Sequence, residues 1–198
     1  MKVIGLTGGI ASGKSLVSDW FRKVHIKVID ADSVYKSLLK EDDYLYSEVI
    51  NAFNLDKNKN NRLDFKALAR IVFNDKTKLK LLNKITHPYV IKKIEQIISE
   101  YKAKKFEIVI LTVPLLFEAK MEYLCDKIIC VWVDRETQIE RLMKRSNLER
   151  EVAIKRIESQ MDLNEKRVKA DYVIDNSLSR DNSYLQFMQI LAKIKALD

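Results

Sequence analysis

The fold of this chain is decided by the stretch Val3-Ile4-Gly5-Leu6-Thr7-Gly8-Gly9-Ile10-Ala11-Ser12-Gly13-Lys14-Ser15, which holds all four glycines of a 198-residue sequence. From Gly8 onward it reads G-x-x-x-x-G-K-S, which is the spelling of a phosphate-binding loop. An apolar, strand-like run at 3–6 leads into the loop, and a helix-like run at 15–23 follows it. Strand, glycine-rich loop and helix occur in the order that the motif requires, so the sequence predicts a phosphate-binding α/β protein.

The residue types of the loop suit a bound phosphate. The backbone N–H groups of 11–16 are expected to point into one concave nest at the start of a helix, where partial positive charge favours an anion. Lys14 is expected to reach the β- and γ-phosphates of a nucleotide, and the Ser15 hydroxyl to hold Mg²⁺. The predicted nucleotide-binding residues of the loop are Gly9, Ala11, Ser12, Gly13, Lys14, Ser15 and Leu16.

Composition and charge restrict the class of protein. With 47% hydrophobic and 32% charged residues, the chain is typical of one globular domain. It contains no apolar run of membrane-span length and no signal-peptide pattern, so we expect a cytoplasmic protein with no membrane partner. We interpret the net charge of +8 as solvated lysines and phosphate chemistry, and not as nucleic-acid binding, because no nucleic-acid motif accompanies it. The oligomeric state that we favour is a monomer.

Strand and helix patterns alternate along the chain. Bulky apolar runs are typical of a buried parallel sheet, and the strand candidates are 3–6, 27–29, 107–111, 127–133 and 172–174. Helix candidates cover about 14–23, 32–40, 44–53, 64–73, 75–85, 88–104, 135–145, 149–161 and 182–197. The sequence therefore predicts a three-layer α/β fold with a five-stranded parallel sheet, as in P-loop NTPases.

The spacing of these elements divides the predicted domain into three parts. The all-helical stretch at about 33–104 is too long for a plain crossover and is interpreted as a substrate-binding subdomain. A charged helical pair at about 142–165 follows a strand and is interpreted as a lid. The core then comprises about 1–32, 105–141 and 166–198.

Asp32 follows the second strand candidate, at the sheet edge that faces the ligand crevice in open α/β folds. A carboxylate there can accept the proton of a substrate hydroxyl or help to hold a metal ion. The alternative is that Asp32 or Ser33 only caps the next helix. Thr112 stands where many phosphate-loop enzymes carry a second acid, so Ser15, Asp32 and the nucleotide phosphates are expected to hold the metal.

Cysteine and histidine residues do not suggest another metal site. Cys125 and Cys130 lack the spacing of a zinc or redox motif, and His25 and His87 lie far from them in sequence. Both cysteines are therefore interpreted as small buried apolar groups.

Arg141 and Arg145 are four residues apart and so share one face of a predicted helix. Guanidinium groups suit the charge that develops on a transferring phosphoryl group. The alternative is a solvated helix face whose arginines pair with carboxylates, for which the candidates are Glu140, Glu149 and Glu151.

Two further segments are candidates for the substrate side. His87 precedes Pro88, which is expected to stand near the first position of a helix. The run 113–118 leaves the third strand candidate at the crevice edge. Core packing is the interpretation that we favour for Leu115 and Leu116 within that run.

Taken in order, these blocks resemble the dephospho-CoA kinase family over nearly the whole chain. The resemblance is carried by GLTGGIASGKS at 5–15, VIDAD at 28–32, ITHP at 85–88, VPLLFE at 113–118, LCDKIICVWVD at 124–134, TQIERLMKR at 137–145, RIESQM at 156–161 and KADYVIDNS at 169–177. A phosphate-binding loop alone is common to many enzymes, but this succession of blocks is specific.

The resemblance implies a nucleotide-kinase-like fold and an ATP- and Mg²⁺-dependent reaction. The γ-phosphate would move to the ribose 3′-hydroxyl of dephospho-CoA and give CoA and ADP, in the last step of CoA synthesis. The resemblance implies Asp32 as the base, with Lys14 and Arg141 as the other catalytic groups, and it places Arg145 and Asn176 at the nucleotide. The substrate-side residues that it implies are Asp32, Lys36, His87, Pro114, Leu115, Leu116 and Glu118.

Three places depart from the family pattern, and two alternative functions stay open. One is the usual L-D-R of the helical stretch, which reads Leu63-Asp64-Phe65 in this chain. Lys36 stands where members usually carry arginine, so a point charge replaces a bidentate fork. His25 stands where a glycine usually precedes the second strand. The alternatives are another small-molecule or nucleoside kinase of the same fold, and a nucleotide-dependent nucleic-acid-binding or regulatory protein. A regulatory GTPase does not fit, because its D-x-x-G switch needs a glycine that this chain lacks after Gly13.

Overall fold

The computed structural model describes residues 1–55, 65–73 and 75–197. The elements in chain order are β1 (Lys2–Gly8), α1 (Lys14–Lys23), β2 (Lys27–Asp30), α2 (Ala31–Glu41), α3 (Asp43–Phe53), α4 (Phe65–Phe73), α5 (Lys76–Ala103), β3 (Ile108–Thr112), β4 (Lys127–Trp132), α6 (Arg135–Ser146), α7 (Arg150–Glu158), α8 (Leu163–Lys169), β5 (Tyr172–Asp175) and α9 (Arg180–Lys195). A short 3₁₀ helix at Glu122–Leu124 precedes β4. None of the helices in the described ranges combines the length and the apolarity needed to cross a membrane.

The strands form one five-stranded parallel sheet in the order β2-β3-β1-β4-β5. β1 lies in the middle, where Ile4 is in register with Ile110 of β3 on one side and with Lys127 of β4 on the other. The strand order reverses at β1, and open α/β sheets bind ligands outside the carboxyl end of the strand at which this happens. The glycine-rich loop begins at that end of β1, so the predicted fold class is confirmed.

Helices cover both faces of the sheet. On one face, Phe21 of α1 and Phe187 of α9 belong to the same buried cluster as Ile129 of β4. On the other face, Leu163 of α8 packs with Cys130, the next residue along β4. Neighbouring residues of a strand point to opposite faces. Because both faces are buried, the strands are continuous apolar runs in the sequence.

The chain divides into two compact units. The first comprises Met1–Ile29 and Glu100–Asp198 and contains the glycine-rich loop, and the second comprises Asp30–Ser99. The described part of the second unit is helical and has an apolar core of its own. The buried residues of this apolar core are Leu39, Leu45, Val49, Phe53, Leu68, Val72 and Leu82.

Two helices differ from the sequence-based prediction. The sequence predicts separate helices at 75–85 and 88–104, but α5 is one helix with Pro88 inside it. Proline removes a helical hydrogen bond and usually kinks or ends a helix. Here Leu82 and Val90 are buried on either side of Pro88, and burial of one apolar face outweighs that loss. The sequence also predicts no helix over α8, and the predicted start of α4 at residue 64 lies outside the described residues.

Candidate active site

The glycine-rich loop joins β1 to α1 and has a left-handed backbone at two positions. The φ angle is 61° at Ala11 and 94° at Gly13. Left-handed residues beside right-handed ones turn successive N–H groups to one side, which makes an anion-binding nest. Two internal hydrogen bonds hold this shape, because Ser12 N–H donates to the Gly9 carbonyl at 3.1 Å and Leu16 N–H donates to the Gly13 carbonyl at 3.0 Å.

Other N–H groups of the loop are open to a ligand. Among the contacts of the described residues, the N–H groups of Ala11, Gly13 and Ser15 have no hydrogen-bond partner. The sequence predicts that all N–H groups of 11–16 face the phosphates, whereas those of Ser12 and Leu16 already donate inside the protein. Nucleotide contacts of Ser12 and Leu16 therefore stay predictions.

The start of α1 favours an anion electrostatically. Its first turn contains no acidic residue, and its last turn contains Arg22 and Lys23. Lys14 is half-buried and Ser15 is exposed, both in the first turn. The positive end of the helix dipole, the open N–H groups and the Lys14 side chain thus belong to the same few residues.

A buried asparagine, Asn176, directly follows β5 and supports the loop. The Nδ2 atom of Asn176 donates to the Ser12 carbonyl at 2.8 Å, and its Oδ1 atom accepts a hydrogen bond from the Ser183 hydroxyl at 2.9 Å. A Cβ atom on Gly13 would overlap with the Asn176 amide. The side chain of Asn176 therefore fixes the loop, and its contact with the nucleotide stays a prediction.

Two glutamines that the sequence analysis does not single out also hold the loop. The Nε2 atom of Gln138 donates to the Ile10 carbonyl at 2.8 Å, and Ile10 N–H donates to Oε1 of Gln160 at 2.9 Å. Gln138 is 2% exposed. The signal that the sequence offers for them is their position in two of the family-like blocks, 137–145 and 156–161.

Arg141 and Arg145 lie on α6, whose N-terminus is capped by Asp134. The Asp134 carboxylate accepts a hydrogen bond from Thr137 N–H at 2.9 Å, and hydrogen bonds from the side chain and backbone of Thr137 lower the pKa of Asp134. Arg141 is half-buried and Arg145 is exposed. Within the described part of the chain neither arginine makes an ion pair.

Neighbouring arginines behave differently. Arg150 pairs with Glu136 at 2.7 Å, and Arg135 pairs with Glu158 at 3.0 Å. These two arginines pair with Glu136 and Glu158, and none of the ion pairs of the described residues involves the partners named in the alternative, Glu140, Glu149 and Glu151. Both charges of the i, i+4 pair of Arg141 and Arg145 are available to an anionic ligand.

The sequence predicts that Glu118 lies on the substrate side, and in the structure its carboxylate contacts two other residues of the protein. Its carboxylate accepts a hydrogen bond from Met161 N–H at 3.0 Å and pairs with Lys166 at 2.7 Å. The Lys166 side chain is fully buried, and its ammonium also donates to the Pro114 carbonyl at 2.9 Å. A buried charge needs such partners, so Glu118 and Lys166 anchor the segment after β3 to the start of α8.

Leu115 and Leu116 differ in exposure. Leu116 is fully buried, as the core-packing interpretation predicts. Leu115 is 37% exposed, which core packing does not explain. Of these two side chains, only that of Leu115 is accessible to a ligand without a change of structure.

Asp32, Lys36 and His87 lie in the unit Asp30–Ser99. Asp30, and neither Asp32 nor Ser33, is the N-cap of α2, since its carboxylate accepts from Ser33 N–H at 2.9 Å. Asp32 lies exposed in the first turn, and Lys36 follows exposed one turn later on the same helix face. His87 is half-buried in α5, and this burial lowers the pKa of its imidazole, which favours the neutral form.

The cysteines do not form a reactive site. Cys130 is fully buried, whereas Cys125 is only half-buried, so the prediction of burial holds fully for Cys130 alone. Burial raises the pKa of each thiol to about 12, and a thiol is a poor nucleophile and metal ligand.

A glycine-rich loop at the switch point of a parallel sheet, followed by a helix that begins with Lys-Ser, defines the class of P-loop phosphate-transferring enzymes. A family model described as dephospho-CoA kinase matches residues 2–182. The chain belongs to the dephospho-CoA kinase family.

Individual relatives and solved structures agree with that family. A dephospho-CoA kinase of Carboxydothermus hydrogenoformans is 42% identical over 100% of this chain and 97% of its own length. One of Arabidopsis thaliana is 41% identical over 98% of this chain and 84% of its own. Among solved structures, a dephospho-CoA kinase from Campylobacter jejuni superimposes with a TM-score of 0.74 at 30% identity over 97% of this chain and 96% of its own. A shikimate kinase from Acinetobacter baumannii, with a TM-score of 0.54 at 13% identity over 100% and 96%, shares the fold alone.

Proposed function

We propose that this chain transfers the γ-phosphate of ATP to the ribose 3′-hydroxyl of dephospho-CoA and releases CoA and ADP, the final step of CoA biosynthesis. The observation that carries the proposal is a complete phosphate-binding loop in a chain that matches the dephospho-CoA kinase model over residues 2–182. Two relatives that are 41–42% identical to this chain are named dephospho-CoA kinase.

The loop binds the triphosphate of ATP. The open N–H groups of Ala11, Gly13 and Ser15 donate to phosphate oxygens at the positive end of α1. Lys14 neutralises charge on the β- and γ-phosphates. Phosphoryl transfer needs little covalent chemistry from the protein, so positioning and charge neutralisation by these groups are the main contributions to catalysis.

Arg141 and Arg145 complete the positive charge around the nucleotide. Neither has an ion-pair partner among the described residues, so neither must break a salt bridge before it binds an anion. Arg141, which is half-buried, neutralises the transferring phosphoryl group, because a guanidinium fork offers two parallel donors to phosphate oxygens. Arg145 contacts the nucleotide.

Asp32 acts as the base that orients and deprotonates the 3′-hydroxyl of the acceptor. The support for this role is that Asp30 caps α2, so the helix does not need the Asp32 carboxylate as its cap. An acceptor hydroxyl must lie within hydrogen-bond reach of its base when the γ-phosphate is in line.

The residues present fit a magnesium ion held mainly by the nucleotide. Mg²⁺ keeps several waters and takes few protein oxygens beside substrate phosphates. In the described ranges no three His, Cys, Asp or Glu side chains gather into a metal site, and the Ser15 hydroxyl is exposed in the first turn of α1. Ser15 and Asp32 would hold the ion, which supplies charge neutralisation on the phosphates when bound.

The residues proposed for the acceptor lie partly in the helical unit and partly in the segment after β3. Lys36 pairs with acceptor phosphate as a point charge, and the neutral His87 contributes a hydrogen bond. Pro114 and the exposed Leu115 contact the acceptor directly. Leu116, which is buried, and Glu118, which is paired with Lys166, support this segment from within.

The three predicted parts of the domain have separate tasks in this proposal. The helical stretch at about 33–104 binds the acceptor, and it overlaps the compact unit Asp30–Ser99. The stretch at about 142–165, which carries α7, is the lid. A lid that excludes water protects ATP from hydrolysis before the acceptor is in place.

To test the function, the protein is incubated with ATP, Mg²⁺ and dephospho-CoA, and the formation of CoA and ADP is measured by mass spectrometry. Asp32→Asn is expected to lower the rate of CoA formation by about 10²-fold or more. Asp30→Asn, at the N-cap of the same helix, is the matched control, because asparagine caps helices about as well as aspartate. Thermal melting of both variants separates loss of chemistry from loss of fold.

Each outcome decides a different part of the proposal. A normal rate in Asp32→Asn would keep the function and remove Asp32 as the base. A folded, ATP-binding protein that makes no CoA would overturn the function. Phosphorylation of adenosine or of a nucleotide, in a screen of hydroxyl acceptors, would then support the alternative of a nucleoside kinase.

A further inference from the structure

The peptide group on each side of Ile10 is held by a glutamine side chain. Gln138 of α6 donates to the Ile10 carbonyl at 2.8 Å, and Gln160, which follows α7, accepts from Ile10 N–H at 2.9 Å. A carbonyl only accepts and an amide N–H only donates, so these partners fix which end of each glutamine faces the loop.

The first hydrogen bond sets the direction of a phosphate-binding donor. No cis peptide bond occurs in the described chain, so the carbonyl of Ile10 and the N–H of Ala11 point in opposite directions from one planar group. When Gln138 holds the carbonyl, Ala11 N–H is turned to the other side. That N–H has no partner among the described residues and belongs to the anion-binding nest.

The second hydrogen bond fixes the preceding peptide group. Its N–H belongs to Ile10 and donates to Gln160, while its carbonyl belongs to Gly9 and accepts from Ser12 N–H at 3.1 Å. Both ends of this peptide group are therefore held. The loop cannot rotate here without breaking one bond to Gln160 and another within the turn.

The two glutamines are themselves held in place. Gln138 is 2% exposed, and a Cβ atom on Gly9 would lie 2.7 Å from its Nε2 atom, so loop and amide are in close contact. Gln160 precedes Met161, whose N–H donates to Glu118 at 3.0 Å. Glu118 is paired with the fully buried Lys166. Rigid support of this kind is what positions a binding group accurately.

We propose that Gln138 and Gln160 are positioning residues for ATP, which orient the peptide groups around Ile10 so that Ala11 N–H faces the bound phosphates. The inference rests on the proposed function only in that the loop binds ATP. It does not depend on the identity of the acceptor.

The same substitution at the two positions tests the proposal, because their hydrogen bonds run in opposite directions. Gln160→Glu keeps an acceptor for Ile10 N–H, whereas Gln138→Glu replaces a donor with a carboxylate that faces a carbonyl. Both variants add one negative charge. Gln138→Glu is expected to bind ATP about tenfold more weakly than Gln160→Glu, the effect of one lost hydrogen bond of ordinary strength.

Calorimetric titration with ATP is the readout, together with KM for ATP and kcat. Gln189→Glu, at an exposed position on α9, controls for the added charge and is expected to leave ATP affinity unchanged. The neutral variants Gln138→Met and Gln160→Met remove one hydrogen bond each, and each is expected to raise KM for ATP about tenfold with a smaller effect on kcat. If Gln138→Glu does not fold, these two methionine variants test the proposal in its place.

Titrations at a series of pH values test whether Gln138→Glu recovers ATP affinity, which a merely structural role of Gln138 would not predict. A carboxyl group buried against a carbonyl has a raised pKa and donates once it is protonated, so Gln138→Glu should regain ATP affinity between about pH 8 and pH 6. Gln160→Glu should not. Equal ATP affinity in the two glutamate variants, or lower melting temperatures with unchanged KM, would overturn the proposal. Wild-type protein that binds ATP but makes no CoA would contradict the proposed function and leave this inference standing.

Discussion

The glycine-rich loop and the ends of the helices contain the same unusual backbone, but they are built from different residues. Among the described residues, a left-handed φ occurs at Ala11, Gly13, His25, Asn54, Lys105, Lys120 and Asn147. Only one of these is a glycine, although glycine adopts this conformation with the least strain. A left-handed backbone therefore does not by itself explain where this protein uses glycine.

The helix ends show how the chain manages without glycine. After α1, His25 N–H donates to the Arg22 carbonyl at 3.0 Å and Ile26 N–H donates to the Phe21 carbonyl at 3.0 Å. This pair of bonds is the Schellman motif, in which the left-handed residue is usually glycine. His25 takes that conformation with φ of 61° and an exposed side chain. Lys105 closes the end of α5 with the same pattern of bonds.

In the loop, glycine is needed because neighbouring side chains leave no room for a Cβ atom. A Cβ atom on Gly8 would lie 2.6 Å from the Ser12 hydroxyl oxygen, and one on Gly9 would lie 2.7 Å from Nε2 of Gln138. One on Gly13 would overlap with the amide of Asn176. This chain therefore has glycine where side chains lie too close to the backbone for a Cβ atom, and has other residues where only the backbone angle is unusual.

The largest effect is expected at Gly13, where both requirements meet. Gly13→Ala should lower the free energy of unfolding by about 2–5 kcal/mol, because left-handed strain and overlap with Asn176 add. Urea unfolding measures this loss, and titration with ATP measures the damage to the loop. Ala11→Gly is the matched control, since it removes a Cβ atom at the other left-handed loop position and should change stability by less than about 1 kcal/mol. Wild-type stability in Gly13→Ala would refute the argument from space.

A substitution at Gly9 tests the effect of steric overlap alone, because Gly9 does not have a left-handed backbone. Gly9→Ala should lower the free energy of unfolding by about 1–2 kcal/mol, because the neighbouring atom is the end of a side chain that can move. Urea unfolding of Gly9→Ala, Gln138→Ala and the double variant checks this in a double-mutant cycle. The two losses should not add, because either change alone disturbs the Gln138 contact. Strictly additive losses would mean that the two residues do not meet.

Much of the fold could be predicted from the sequence because its signals are local. The glycines and Lys14-Ser15 predict the loop, and the apolar runs predict every strand, since a strand buried on both faces has no alternation. Pro88 misleads the prediction because its local effect on a helix is opposed by burial of Leu82 and Val90, which depends on tertiary packing.

The candidate site was predictable only in part, for a similar reason. Lys14 and Ser15 are set by a local motif, whereas Gln138 and Gln160 reach Ile10 across 128 and 150 residues of sequence. No local pattern reports such a contact. The sequence offers Asp32 or Ser33 as the cap of α2, whereas the hydrogen bond from Ser33 N–H shows that Asp30 is the cap. Aspartate and serine both cap helices well, so residue type alone does not identify the cap.

The smallest effects are expected at the helix ends, and they have the opposite sign. In His25→Gly and Lys105→Gly, relief of left-handed strain is worth about 1–2 kcal/mol, and the greater freedom of glycine in the unfolded chain offsets about 0.4–1 kcal/mol of it. Each variant should therefore be more stable by between about 0 and 1.6 kcal/mol, as measured by urea unfolding. Asn54→Gly is the control and should change less, because asparagine tolerates this conformation better than histidine or lysine. A loss of stability in both variants would show that these side chains make contributions that outweigh the strain of their backbone.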